Sequence, residues 1–265
     1  MPSPTVLPAP PPTEAIRGRA TLVGCGPGNP DLLTLRAMRA IAAADVLLYD
    51  ALIDPAILDL APAAAARVDV GKRCGRHAMS QAAINRLIVG HARAGAHVVR
   101  LKGGDPMVFG RAGEELASLR AAGLPVEVVP GVTAACAAAA SLAIPLTHRG
   151  MASSLHFVTG HGAEGGLPAH DWAALVSGGG TLAAYMASRT LPDLAARLIA
   201  AGLPPSTPAV AIERASHADE RHLFRTLADL ACALGKAGFT GPTLVLVGAV
   251  VSLAHIATAS ERLAA

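Results

Sequence analysis

From Arg19 onward the chain alternates short apolar, β-favouring runs with longer stretches whose apolar residues recur at helical spacing. Residues 20–25 predict a buried first strand. Residues 31–44 predict an amphipathic helix with Leu32, Leu35, Met38, Arg39 and Ala42 around its face, and 45–49 a second strand. A third strand is expected at 67–70, followed by a basic loop. Ser80 then caps a helix over 81–94 that stops at Gly95. Residues 97–101 predict a fourth strand running into Gly103-Gly104-Asp105-Pro106, 114–122 a helix ended by Gly123, and 126–129 a fifth strand. Strands separated by helices in this rhythm indicate parallel βαβ units. After Gly131 a helix is expected over 134–142, then strands at 155–159, 181–186, 210–214, 222–226 and 243–250. Thr190-Leu191-Pro192-Asp193 has the form of a capping box opening a helix that reaches Ala201, with Gly202 as its stop.

This order divides the chain into a proline-rich tail over 1–16, an N-terminal α/β domain over 17–132 and a C-terminal α/β domain over 133–265. The tail, with its run from Pro8 to Pro12 broken only by Ala9, reads as a disordered, polyproline-like extension. No repeat relates the two halves. Hydrophobic residues make up 52% of the 265 positions and charged residues 15%. That is enough apolar chain for large cores and too much for a disordered body. No run reaches the ~18 apolar residues of a spanning helix. No basic segment leads into an apolar leader either, so a cytoplasmic protein without membrane contact is expected. The scattered Cys25, Cys74, Cys136 and Cys232 fit reduced thiols better than a disulfide framework.

A net charge of +3 and an aromatic content of 3% argue against a nucleic-acid binder, which needs a basic stripe or stacking platforms. Gly24-Cys25-Gly26-Pro27-Gly28-Asn29 follows the first strand, where nucleotide-binding loops sit. A dinucleotide fingerprint wants glycine where Asn29 stands, and Pro27 has no N–H for a pyrophosphate. Asp50 does imitate a ribose-binding acid, so a nicotinamide enzyme is a rival reading. No Gly-Lys-Ser/Thr loop is present. Further loops rich in glycine and proline follow the other strands: Tyr49-Asp50, Gly71-Lys72-Arg73, Gly103-Gly104-Asp105-Pro106 and Pro130-Gly131-Val132-Thr133. In a parallel sheet these share one edge, and together they predict a ligand crevice whose walls are largely backbone.

The motifs Val23-Gly24-Cys25-Gly26-Pro27-Gly28, Leu48-Tyr49-Asp50 and Gly71-Lys72-Arg73 lie in the first 75 residues. Downstream come Leu101-Lys102-Gly103-Gly104-Asp105-Pro106-Met107-Val108-Phe109-Gly110-Arg111 and Pro130-Gly131-Val132-Thr133-Ala134. With Thr147-His148-Arg149-Gly150, Thr159-Gly160-His161 and Tyr185-Met186 they carry a resemblance, from about Arg19 to about Leu253. The chain resembles the uroporphyrinogen-III C-methyltransferases of the tetrapyrrole methylase superfamily. The resemblance implies two α/β domains with S-adenosylmethionine in the cleft between them, leaving as S-adenosylhomocysteine. It also implies a homodimer that methylates uroporphyrinogen III twice, through precorrin-1 to precorrin-2, for siroheme, cobalamin or heme d1. Alternatives within the superfamily are a methylase of a later precorrin and an RNA or protein methyltransferase.

By the same resemblance the cofactor contacts fall on Pro27, Gly103, Gly104, Asp105, Val108, Thr133, Ala134, Met186 and Ala215, with Thr243 added. Asp50 and Lys72 match positions with acid–base roles in relatives, and Arg111 is a competing catalytic candidate. Arg111, Glu114, Arg149 and His161 are the candidate contacts for the acidic substrate, because arginine forks bind carboxylates firmly and directionally. Asn29, Ala112, Ala187 and Glu213-Arg214-Ala215-Ser216 depart from the common pattern. Cys74-Gly75-Arg76-His77 offers an isolated pair of ligands that no second cluster completes, so no metal is expected.

Overall fold

The computed structural model describes residues 18–71, 79–162 and 164–254. The proline-rich tail and the segment containing Lys72, Arg73, Cys74, Arg76 and His77 lie outside them. Two five-stranded sheets organise the described chain. The first contains β1 (Arg19–Gly24), β2 (Val46–Tyr49), β3 (Ala66–Asp69), β4 (His97–Lys102) and β5 (Val126–Val129), in the order β3-β2-β4-β1-β5, with every pair parallel. Its helices cover both faces. On one, Ala37 and Ile41 of α1 (Leu35–Ala42) and Ile57 of α2 (Pro55–Leu58) pack on Val23, Leu47, Val99 and Leu101. On the other, Ile84, Ile88 and Ala92 of α3 (Gln81–Arg93) and Leu119 of α4 (Ala112–Ala121) pack on Ala20, Val46, Leu48 and Val98. Burial on both faces explains why these strands read as continuous apolar runs rather than as an alternation.

The second sheet is mixed. Its strands are β6 (Leu155–Thr159), β7 (Thr181–Tyr185), β8 (Pro208–Glu213), β9 (Arg221–Thr226) and β10 (Thr243–Val247), in the order β6-β7-β10-β8-β9. Only β6 and β7 run parallel; β10 pairs antiparallel with β7 and β8, and β8 with β9. Leu191, Leu194 and Leu198 of α7 (Leu191–Ala200) and Leu227, Leu230 and Leu234 of α8 (Leu227–Ala237) cover one face. The other is covered by Ala135 and Ala138 of α5 (Ala134–Ser141) with Leu142, Ile144, Val250 and Val251. Thus α5 directly follows a strand of the first sheet and packs into the second core.

Several elements differ from the pattern-based reading. The stretch expected as one helix over 31–44 is a 3-10 turn, Pro30–Leu32, followed by α1. Leu33 is extended, and the Thr34 hydroxyl caps the Ala37 N–H. The buried face of α1 is Ala37 and Ile41, whereas Leu35 and Met38 are exposed. Thr190 precedes α7 without capping it: its buried hydroxyl donates to the carbonyls of Gly160 (2.7 Å) and Ala187 (3.4 Å). The last strand ends at Val247, because Gly248, at φ 146°, diverts the chain into the 3-10 turn Ala249–Leu253. The short α2 and α6 (Trp172–Ser177) were not expected. Each is capped by an aspartate, Asp54 and Asp171, but is too short for apolar periodicity to reveal.

The tightest constraint lies where β1, β4 and β5 end. A Cβ on Gly24 would stand 2.5 Å from the Gly131 nitrogen and 2.8 Å from the Gly104 oxygen. A Cβ on Gly131 would press on the Gly104 carbonyl and the Gly24 backbone. All of these obstacles are backbone and cannot swing away. Gly24→Ala is therefore expected to destabilise the protein by at least ~1–3 kcal/mol, the usual cost of overpacking. Urea unfolding measures this, and an unchanged midpoint would contradict the close approach.

Candidate functional site

The carboxyl edge of the first sheet supplies the floor. Gly26 and Gly104 exchange backbone hydrogen bonds, Gly26 N–H to Gly104 O at 3.2 Å and Gly104 N–H to Gly26 O at 2.7 Å, joining the loops after β1 and β4. Asp105 fastens the latter to the loop after β5. Its Oδ2 accepts from the Gly131 N–H (3.0 Å) and its Oδ1 from the Met107 N–H (2.8 Å). Gly104 takes φ +70°, open to glycine and costly for other residues, and a Cβ there would project toward Thr133 and Ala134, 3.9–4.0 Å away. Val108 is half-buried in the same loop, where its N–H bonds the Asp105 carbonyl (3.2 Å). Pro27, half-buried, precedes Gly28, which lies directly against the His217 ring of the second domain. The next residue, Asn29, donates its N–H to Ser216 Oγ (3.2 Å).

The second domain supplies the facing wall through Tyr185, at the end of β7. The hydroxyls of Tyr185 and Thr133 lie 2.6 Å apart, and the Tyr185 oxygen accepts from the Ala135 N–H (3.1 Å). Its ring stacks obliquely on Phe109 of the loop after β4 (5.1 Å between centroids) and edge-on to Phe157 (5.6 Å). Burial pushes the phenol above its ordinary ionisation range, against the hydrogen bonds from Thr133 and Ala135. Met186 follows at φ 55° with half its surface exposed. Ala215 is buried between Arg214 (φ 53°) and Ser216 (φ 68°), and Arg214 is steadied by Asp219 at 2.7 Å. Glu213 accepts from the N–H groups of Thr240 and Gly241, both at 2.5 Å, and pairs with Arg221 at 3.2 Å. It thereby fixes the loop that leads to Thr243, which is buried and bonds the Gly241 carbonyl (3.0 Å).

Phe109, Arg111, Met186, Arg214 and Ser216 account for all but one of the described non-glycine residues with positive φ; the other is Ala143. Such backbone costs about 1–3 kcal/mol per residue and gathers at working sites.

Beneath the floor lies a buried ionic cluster. Arg100 and Lys102 alternate on β4, so both point to the α3/α4 side, and they are 4% and 5% exposed. Both meet Glu115 of α4, which is 0% exposed: Arg100 Nε at 3.3 Å from Oε1 and Lys102 Nζ at 3.0 Å from Oε2. Gln81 Nε2 also donates to Oε1 (3.2 Å). Arg100 donates further to the carbonyls of Leu101 (2.7 Å) and Leu48 (3.4 Å), and to Asp50 Oδ2 (3.1 Å). The second Asp50 oxygen takes the Leu52 N–H (3.1 Å). Burial pulls the Lys102 ammonium below its ordinary range, and Glu115 opposes that pull.

Of the candidate substrate contacts, Arg111 and Glu114 form an exposed bidentate pair, Nε–Oε1 at 2.7 Å and Nη2–Oε2 at 2.9 Å. Each holds the other charged, raising the guanidinium and lowering the carboxyl. Arg149 lies exposed in the turn closed by His148 and Ala152, and His161 is exposed just past β6. Lys72 lies outside the described residues. Sequence reasoning missed Arg100, Lys102 and Tyr185 as members of this region and gave Glu115 no place of its own. The available signal was a pair of cations at alternate positions, Arg100 and Lys102, flanking Leu101 after the apolar Val98-Val99 in a fully buried strand.

A family model described as Tetrapyrrole (Corrin/Porphyrin) Methylases matches residues 19–231. The chain is 52% identical over 235 residues to a siroheme synthase of Gluconacetobacter diazotrophicus, covering 88% of this chain and 50% of that protein. It is 48% identical over 240 residues to the chloroplastic S-adenosyl-L-methionine-dependent uroporphyrinogen III methyltransferase of Arabidopsis thaliana, covering 90% of this chain and 65% of that one. The chain thus spans between half and two thirds of the length of these curated relatives. Among solved structures it resembles the uroporphyrin-III C-methyl transferase of Thermus thermophilus complexed with S-adenyl homocysteine. That likeness has a TM-score of 0.77 and 44% identity, and covers 89% of this chain and all of that one.

Cys25, in the middle of the glycine loop, is sealed from solvent, and burial pushes its thiol up to about 12. At neutral pH it is therefore no nucleophile. In the unfolded chain it ionises near pH 9. Unfolding thus releases a proton between the two values, and stability falls as pH climbs through that window by up to ~1.4 kcal/mol per unit. Between pH 8.5 and 10.5 the wild type should lose about 1–2 kcal/mol more than Cys25→Ala, as read from urea midpoints. Parallel losses would show that the thiol is not shielded.

Proposed function

The chain belongs to the tetrapyrrole methylases, and from that footing we propose that it is an S-adenosylmethionine-dependent C-methyltransferase that methylates uroporphyrinogen III twice, through precorrin-1, to precorrin-2. The observation that carries this reading is the backbone floor where Gly24, Gly104 and Gly131 meet beside Thr133 and Tyr185. A methyl donor with a nucleoside and an amino-acid portion needs such a cradle. The direction a Gly104 side chain would take, toward Thr133 and Ala134, is the space it would fill.

Pro27, Gly103, Gly104, Asp105, Val108, Thr133, Ala134, Met186, Ala215 and Thr243 would hold it. Asp105 acts by fixing the loops, since both of its oxygens are engaged by backbone N–H groups. Bound there, S-adenosylmethionine supplies the methyl group from an activated sulfonium. The chain's own tasks are then to orient the acceptor carbon in line and to take up the proton that carbon releases. Asp50, held at the crevice edge, is the proton acceptor in this reading, with Lys72 as its acid–base partner. Arg111 is too weak a base for that task, since a guanidinium stays protonated below ~12. It serves as an electrostatic anchor for an acceptor carboxylate, with Glu114 releasing or sharing its fork. Arg149 extends the positive rim, and His161 adds an exposed imidazole for hydrogen bonding to an acceptor carboxylate.

The domain boundary is assigned between 132 and 133, supported by the packing of α5 into the second core. A homodimer is part of the same reading, supported by Leu35 and Met38, exposed one turn apart on α1. No described helix is long and apolar enough to cross a membrane; cytoplasmic placement is assigned with the chemistry of the pathway.

Anaerobic incubation of the pure protein with S-adenosylmethionine and uroporphyrinogen III should yield a product heavier by two methyl groups in mass spectrometry; no gain removes the reading. Arg111→Lys keeps the charge and loses the fork. It should cut turnover at least ~10-fold, about 1.4 kcal/mol at the transition state, with S-adenosylhomocysteine affinity unchanged by calorimetry. Full turnover in that variant would make Arg111 structural. Light scattering should give twice the chain mass.

A further inference from the structure

The ionic cluster under the floor contains two cations and two anions, Arg100 and Lys102 against Asp50 and Glu115, so it carries no net charge. Its side chains are 0–6% exposed except for Asp50, at 27%, which is where the cluster reaches the crevice. Burying such groups loses several kcal/mol of hydration per ion, and well-packed apolar residues would stabilise the same space as well or better. Stability therefore does not account for the cluster. Its position suggests another role. Asp50 directly follows β2 and Arg100 sits on the adjacent β4. The connections of these two strands leave toward opposite edges of the sheet, the arrangement that opens a ligand crevice.

The contacts are directional. Arg100 gives Nη2 to Asp50, Nη1 to two carbonyls and Nε to Glu115, so the guanidinium has no freedom to turn. Glu115 divides its two oxygens between Arg100 and Lys102. The Lys102 stem in turn lies under Gly110, where an added Cβ would stand 3.1 Å from its Cε, immediately before Arg111. Glu115 itself is four residues beyond Arg111, which opens α4.

We propose that the buried Glu115–Lys102 pair is a positioning device for the reaction: acting through Arg100, it fixes the direction of the Asp50 carboxylate and registers it against the loop that carries Arg111. This rests on the reading of Asp50 as the proton acceptor. Neither Glu115 nor Lys102 touches the reacting atoms.

Removing one partner alone would strand a buried charge, so the pair is replaced together. In Lys102→Met/Glu115→Leu the Arg100 Nε loses its acceptor; in Lys102→Met/Glu115→Gln an uncharged acceptor remains. Under anaerobic steady-state conditions the Leu variant should lose at least tenfold in kcat. Its KM for uroporphyrinogen III and its calorimetric affinity for S-adenosylhomocysteine should stay within about twofold of wild type. The Gln variant should recover most of the lost kcat. Arg100→Lys, which keeps the charge but offers a single donor point, should lose kcat in the same pattern, and it reports on the hold if the Leu variant does not fold. Wild-type kcat in the Leu variant or, should that variant not fold, in Arg100→Lys overturns the proposal. So does a loss that appears in KM and cofactor affinity rather than in kcat, or a Gln variant as slow as the Leu variant. Asp50→Asn separates the two layers. Full turnover there removes the role of Asp50 itself, whereas a slow Asp50→Asn beside a wild-type Leu variant removes the positioning alone.

Discussion

Three strand ends of the first sheet touch backbone to backbone, and the rest of the site follows from that contact. Gly24 and Gly131 lie so close to each other and to the Gly104 carbonyl that neither has room for a side chain, while a side chain on Gly104 would point away from both, toward Thr133 and Ala134. The paired Gly26 and Gly104 N–H groups and the Asp105 carboxylate then tie the loops into one surface. A floor built this way presents amides and carbonyls to whatever lies on it. It also leaves the candidate side chains at the margins: Asp50 on one side, the loop to Arg111 on another, and Thr133 with Tyr185 toward the second sheet. Groups held by the sheet itself hold their geometry better than groups on free loops, which matters where misplacement by an ångström is costly.

The second domain meets this floor with a wall whose backbone is less relaxed. β7 and β8 run directly into Met186 and Arg214, both in the left-handed region. Neither side chain eases that conformation as glycine or asparagine would. Each is compensated nearby. The neighbouring Tyr185 is anchored by Thr133, Ala135 and two aromatic rings. Arg214 is held by Asp219, and the loop beyond it by Glu213. The residues at 214–216, where the sequence departs from the common family pattern, thus sit in a turn held by side-chain contacts.

Much of this was legible in the sequence, for physical reasons that also mark where legibility ends. The strands of the first sheet are buried on both faces, so their apolar runs stand out. Ser80, Gly95 and Gly123 punctuate the helices in the expected places. The loops of the floor could be found because glycine and proline recur at strand ends. Strand direction in the second sheet could not be found, since antiparallel and parallel pairing leave the same periodicity of two. The face of α1 was misread because Ala37, too small to mark a face by its hydrophobicity, makes the close contact with the sheet together with Ile41, while the larger Leu35 and Met38 stay exposed. Thr190 had the composition of a cap, yet burial against Gly160 gave its hydroxyl another partner. Glu115 was hidden more deeply still. Adjacent to Glu114 in sequence, it faces the opposite way on α4, one side chain solvated beside Arg111 and the other sealed beneath the sheet.

That opposition divides the charges of the site into two populations with different work. Arg100, Lys102, Asp50 and Glu115 neutralise one another in a poorly hydrated space, where interactions are strong and little screened. With two charges of each sign, as a set they add little to the field felt by an approaching anion; the role proposed for them is geometric. Arg111, Arg149 and His161 are solvated, so each alone contributes modestly and is screened by salt. The acidic acceptor of the proposed reaction can engage several of them at once, and bidentate contacts make that engagement directional. On the proposed reading, affinity for an acidic acceptor is set by the exposed rim, and the placement of the proton acceptor by the buried cluster. The two can be tuned separately because Glu114 and Glu115, side by side in the chain, serve one population each.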